Sequence, residues 1–145
     1  MTLSADMKTC LIDTNVISEL AKPKPDKNVI AFLSSLENGA LSIISLHEIQ
    51  YGIGLLPPGQ RRTELEQQMA RLLSEYRDSI IPVDEQEAAH AASFRVQARQ
   101  QGKTLHLADS LIAGTAAAHN MVIATRNTHD FDGIGVELVN PWEDR

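Results

Sequence analysis

The chain lacks the residues that mark a secreted, disulfide-stapled or membrane-spanning protein. Its 145 residues include one cysteine, Cys10, which excludes a disulfide framework and a Cys-rich zinc site. Cys10 lies in an apolar run and reads as a small buried hydrophobe. No apolar run approaches the roughly 20 residues of a membrane span, and the N-terminal MTLSADMK has no apolar core of a signal peptide. A cytoplasmic protein with no membrane association is therefore expected. Basic residues are also scarce: 13 Lys and Arg stand against 19 Asp and Glu, a formal net charge of -6. That balance excludes a broad basic face for coating long nucleic acids and leaves room only for a local site. No G-x-G-x-x-G follows the first strand-like run, and the five histidines show no H-E-x-x-H spacing. Dinucleotide binding and zinc-protease chemistry lose their usual signatures.

What is present is an alternation. The length fits one domain over residues 1–145, with residues 1–7 read as a flexible leader. Strand-like runs fall at 8–13 (KTCLID), 40–44 (ALSII), 79–83 (SIIPV) and 121–125 (MVIAT), and GVELVNPW at 135–142 holds a short edge strand. Between them lie helical patterns. One covers 15–22 and ends near Pro23 and Pro25; a second covers 28–38, with Val29, Phe32, Leu33 and Leu36 on one face, and stops at Gly39. Others span 45–56, 61–77, 84–101 (closed by Gly102) and 107–120. Strands alternating with helices predict an α/β fold, a three-layer α/β/α sandwich around a central, mostly parallel sheet.

Four acids acquire meaning from this pattern. Asp13 follows the first strand directly, with Thr14 and Asn15 behind it. An open α/β sheet binds ligands just beyond the carboxyl ends of its strands, so this is where an ion or phosphate would sit. The simpler reading is a helix N-cap. Glu48 follows Ser45 by three positions, a capping-box pattern at a helix start, yet that start lies beyond the carboxyl end of the second strand. Asp109 is the only charged residue in LADSLIAGTAAA and shares a face with Ile112, Ala113 and Ala116, a costly placement unless a cation or donors compensate. The alternative is that Asp109 is itself the cap. Asp130, in TRNTHDF after the fourth strand, brings Thr125 and Asn127 with it, or is an ordinary loop acid.

Taken together, these placements gather four acids at one edge of the sheet. Carboxylates about 4 Å apart repel by roughly 4 kcal/mol at an effective dielectric of 20. Such a cluster either takes up protons or holds a cation. Mg²⁺, with Mn²⁺ as the alternative, suits all-oxygen ligands and commonly binds one or two carboxylates together with substrate phosphate.

These residues resemble the PIN-domain ribonucleases, and especially the VapC and FitB-like toxins of bacterial toxin–antitoxin modules. LIDTNVISEL is similar to the family's opening motif, SLHEIQYG to its S-x-x-E helix, LADSLIAGTA to its central Asp helix, and ATRNTHDF with NPW to its last strand and tail. The resemblance spans nearly the whole chain. It implies an acidic catalytic site of Asp13, Glu48, Asp109 and Asp130, with Asp13 and Asp109 as metal ligands and Thr14, Asn15, Thr125 and Asn127 in support. Some relatives carry Asp where this chain has Asn127, so whether Asn127 or Asp130 completes the site stays open, as does a second metal. It also implies an RNA substrate, a cognate antitoxin and a homodimer, served by the apolar surface around Ile49, Ile53, Leu55 and Leu56.

The reaction so implied is metal-assisted hydrolysis of an RNA phosphodiester, without a protein nucleophile. Glu48 or Asp130 would take the water's proton, and Arg126 would meet a phosphate oxygen or pair with a rim acid. A metal-dependent phosphatase also places Asp after its first strand, but here Asn15 stands where a second Asp would act as acid and base. A non-catalytic module that binds an antitoxin or RNA without cleaving it is the remaining alternative.

Overall fold

The computed structural model describes residues 8–143; the expected leader at residues 1–7 lies outside them. The first strand, β1 (Cys10–Ile12), is wholly buried. It leads through Asp13 into α1 (Thr14–Leu20) and, across the Pro-containing connection, into α2 (Lys27–Ser35). Next come β2 (Gly39–Ser42), α3 (Ile43–Gly54) and α4 (Gln60–Tyr76). A 3₁₀ turn then precedes β3 (Ile80–Ile81), followed by α5 (Glu85–Gln100) and α6 (Leu107–His119). The described chain closes with β4 (Val122–Ala124), a second 3₁₀ turn at Thr128–Phe131, and β5 (Leu138–Val139).

All strand pairs are parallel, in the order β3-β2-β1-β4-β5. Successive side chains of a strand face opposite sides, and the core divides accordingly. Leu11, Ala40 and Ile123 join Ala98, Ile112, Ala113 and Ala116 of α5 and α6 on one face. Ile12 and Leu41 join Val16, Ile17, Val29, Leu72 and Tyr76 of α1, α2 and α4 on the other. The result is the expected three-layer sandwich, with the sheet wholly rather than mostly parallel. Among the described residues no helix is long and apolar enough to cross a membrane.

Two boundaries differ from the sequence expectation, each for a local reason. Gly39 does not stop α2: the helix ends at Leu36, whose backbone is already extended, and Gly39 begins β2. A side chain there would crowd the Tyr76 ring at 3.1 Å and Leu36 at 3.2 Å. The third helix starts at Ile43, not Ser45, because the Ser42 hydroxyl accepts the Ile44 N–H at 3.0 Å and is the cap. Ser45 is therefore a buried residue within the helix, its hydroxyl without a partner, and it forms no capping box with Glu48.

The most extensive helix contact is α5 on α6. Small residues make it possible, and Gly114 sets its limit: a methyl group there would run into the Glu87 carbonyl and lie 2.8 Å from the Ala91 nitrogen. Glu87 also ties the pair together. Its carboxylate accepts the Asp84 N–H at 2.8 Å and meets Nε2 of His119 at 2.7 Å. Replacing Gly114 with Ala should lower stability by about 1–3 kcal/mol through overpacking, although a helix otherwise gains about 1 kcal/mol from this change. The same change at Gly52, where a methyl meets nothing within 4 Å, should be neutral or stabilising. Urea denaturation of the two variants checks the contrast.

Candidate active site

The parallel sheet sends β1, β2 and β4 out at one rim, and the helices that follow or precede them bring the acids there. Asp13 terminates β1 and caps α1; its Oδ1 accepts the Thr14 N–H at 2.8 Å. The other oxygen, Oδ2, accepts the Thr125 hydroxyl at 2.9 Å and the Asn15 amide at 3.1 Å. Asp13 is thus both the cap that the simpler reading required and a member of a buried network. Burial raises its pKa and the nearby Glu48 charge adds to the rise, while the bonds from Thr125, Thr14 and Asn15 oppose it.

Thr125, fully buried immediately after β4, is the junction of that network. Besides binding Asp13, its hydroxyl oxygen receives the Asn15 amide at 3.2 Å and the Asn127 N–H at 3.1 Å. Asn15 in turn accepts the Arg126 N–H at 3.1 Å. The start of α1 and the loop after β4 are therefore laced together, although 110 residues separate Asn15 from Thr125. Glu48, on the second turn of α3, accepts the Thr14 hydroxyl at 2.7 Å through Oε1. All four supporting residues of the sequence reading thus lie in this network, Asn127 through its backbone.

Asp109 occupies the third position of α6; His106 is the cap residue. The alternative that Asp109 caps a later helix is thereby removed. A carboxylate in the first turn is ordinarily favoured by the helix dipole. Here desolvation wins and, with the charges of Asp13, Asp130 and Glu48, pushes its pKa up to about 6, against a smaller opposing effect of His106. No hydrogen bond or ion pair engages the Asp109 carboxylate among the described residues. The other three acids are thus within electrostatic reach of Asp109. Asp130 is the more exposed member, 3.2 Å from Nε2 of His129.

Among the described residues no three His, Cys, Asp or Glu side chains are close enough to form a metal shell by themselves. That spacing is compatible with a hard cation that takes one or two carboxylates and fills its remaining positions with water and phosphate oxygens. The donor set is all oxygen, and Asp109 carries the electrostatic deficit that such an ion relieves. Sequence reasoning missed the roles of Ser42 and of the Glu87–His119 pair. The D-E-Q-E run at 84–87 was the available signal for Glu87.

A groove of about 500 Å³ runs from this site between α1, α3 and α4. Ile17, Ile49, Ile53, Leu56, Met69 and Leu72 supply its apolar wall, and Thr14 and Glu48 border it at the acid site. Of the residues expected to offer apolar surface, Leu55 lies outside the groove and is 67% exposed; Tyr51, not among those expected, also lies outside it and is 62% exposed.

Comparison with known proteins identifies the family. The chain is 37% identical to the VapC ribonuclease Y4jK of Sinorhizobium fredii over 92% of its own length and 97% of the relative's. It is 39% identical to the toxin FitB of Neisseria gonorrhoeae, over 92% and 99% of the two chains. The solved structure of FitAB bound to an IR36 DNA fragment superimposes with a TM-score of 0.89 at 39% identity, covering 94% of this chain and 98% of that one. The PIN domain family model matches residues 10–136, and the chain belongs to that family.

Proposed function

We propose that the protein is a Mg²⁺-dependent endoribonuclease, with Mn²⁺ as the alternative ion, that acts in the cytoplasm as the toxin of a toxin–antitoxin pair. The observation that carries this reading is the Asp109 carboxyl, held in the field of three other acids against which the described residues set only the smaller effect of His106. The ribonuclease and toxin names of the matched relatives support it. Asp13 and Asp109 would hold the ion. When bound, the ion supplies Lewis acidity, lowering the pKa of a water and offsetting charge on the phosphate.

The chain's own residues supply the rest. Thr125 and Asn15 fix the Asp13 carboxylate, so one of its oxygens is presented in a single orientation. Thr14 occupies Oε1 of Glu48, leaving Oε2 to accept the proton of the attacking water. Asp130, on a short 3₁₀ turn and less buried, is the second acceptor and, rather than Asn127, the fourth acid of the site. The leaving oxygen takes its proton from solvent. No side chain becomes covalently attached to the substrate.

The groove bordered by Thr14 and Glu48 is the place for an antitoxin segment, because an apolar occupant lying in it ends at the acids. The resemblance to toxin–antitoxin modules and the matched FitAB assembly support a partner of this kind. Tyr51 and Leu55, outside the groove, offer apolar surface to a second copy in a homodimer.

Replacing Asp13 or Asp109 with Asn should lower RNA cleavage by at least about 100-fold, within the usual range for loss of a catalytic group. Circular dichroism should show the fold intact. Chelating divalent ions should abolish cleavage by the unaltered protein and addition of Mg²⁺ restore it. Activity of Asp13→Asn equal to the parent in a contamination-controlled assay sinks this assignment of the site, whereas absence of cleavage by the parent itself returns the chain to a non-catalytic binding module.

Asp109 also predicts a pH signature. Its folded pKa of about 6 lies above the unfolded 3.8, so the folded state holds the extra proton between those values. The resulting penalty is absent below pH 3.8, grows up to about pH 6, and is fully present above it. Without metal, Asp109→Asn should therefore be more stable than the parent at pH 7.5 by about 1–2 kcal/mol, allowing for solvent screening, and equal to it near pH 4. Thermal melts at the two pH values check this. Mg²⁺ should raise the parent's Tm and leave that of Asp109→Asn nearly unchanged.

A further inference from the structure

Arg126 differs from Lys22 and Arg61 in what its charge meets. Lys22 is engaged with Glu19 at 2.8 Å, and Arg61 donates to the Ala21 carbonyl at 2.9 Å. The Arg126 guanidinium, although exposed, pairs with no carboxylate of a described residue. Glu19 is near enough for its charge to be felt, but its two oxygens are taken by Lys22 and by the Asp26 N–H. In a chain of net charge -6, an exposed arginine whose backbone is tied to the acid site through Asn15, yet whose guanidinium forms no ion pair with a described residue, is unexpected on electrostatic grounds.

The guanidinium instead lies over the Trp142 ring, 5.0 Å from its centroid. That ring is a fixed platform. The Trp142 N–H donates to Asn140 at 2.9 Å, its carbonyl accepts the Asn28 amide at 2.8 Å, and its side chain is packed on the core cluster of β1, β2, α1 and α2. The Arg126 backbone is fixed as well, through Asn15, which also binds Asp13. A stacked guanidinium keeps its in-plane N–H donors available while its stem loses rotational freedom. Both ends of the arm are thus anchored, one to the acid site and one to the C-terminal platform.

Resting on the ribonuclease reading above, we propose that Arg126, held on Trp142, is a positioning residue that grips the RNA phosphate adjacent to the one being cleaved. A planar fork of donors suits a phosphate better than a point charge does. Because it would grip a neighbouring phosphate, the contact would be made equally in the ground and transition states and would act on binding rather than on the chemical step.

Arg126→Gln, which keeps the stem and removes the charge, and Arg126→Lys, which keeps a charge and loses the fork, test this. Loss of one charged phosphate contact should raise KM of Arg126→Gln for a single-stranded RNA about tenfold or more, with kcat within about twofold. Binding of the same oligonucleotide to Asp13→Asn protein, at fixed Mg²⁺ and varied KCl, gives a second readout that needs no cleavage. The slope of log K against log salt should be shallower by about 0.7 for the Gln variant and restored by Lys. An unchanged KM and slope in Arg126→Gln overturns the proposal. So does an equal loss in the Gln and Lys variants accompanied by a lowered Tm, which assigns the arginine to holding the rim together. Absence of cleavage by the unaltered protein refutes the ribonuclease reading separately, and the salt slope still decides whether Arg126 meets a phosphate.

Discussion

Bringing carboxylates together from separate parts of the chain is the constraint around which this molecule is arranged. Asp13, Glu48, Asp109 and Asp130 come from four elements, and their mutual repulsion works against the fold. The sheet overcomes it because β1 and β4 are neighbours, which fixes Asp13 beside Thr125 with little freedom left. Hydrogen bonds concentrate on Asp13 and leave Asp109 unsupported. One carboxylate is thus held in place by its donors, while the other keeps its oxygens open to whatever ion or proton the solution offers.

The two helical layers share this work unequally. On one face α5 and α6 lie against each other through Ala91, Ala113 and Gly114, and the Glu87–His119 pair clasps their ends. This tight pair holds Asp109 in place at the head of α6. On the other face α1, α3 and α4 leave an open apolar channel. Rigidity sits behind the acids and access lies beside them, as expected where a site must be fixed yet still reached by large partners.

Much of this was legible in the sequence because it rests on short-range pattern. Apolar runs ending in Asp13 and Thr125 gave the strands that carry the site, and the near-absence of charge in LADSLIAGTAAA marked α6 as buried with Asp109 exceptional. Boundaries were harder. Ser42 and Ser45 are both competent caps, and only the end of β2 decides between them, a matter of strand pairing and not of local preference. Gly39 looked like a helix stop because glycine often is one; its true reason is the Tyr76 ring, which lies 37 residues away in the chain and is invisible to any local rule. The Glu87–His119 pair likewise joins two helices and leaves no periodic trace.

Thr14 and Glu48 belong at once to the acid site and to the mouth of the groove. Under the proposed function, a molecule threaded along that channel and an RNA seated on the carboxylates would contend for the same few ångströms, so neither would need to alter the other's conformation to exclude it. Control of this kind requires no second folded state. On the proposed reading, its timing would be set by how long the occupant stays, which would make the lifetime of a bound partner, rather than any motion of the protein, the clock for release of activity.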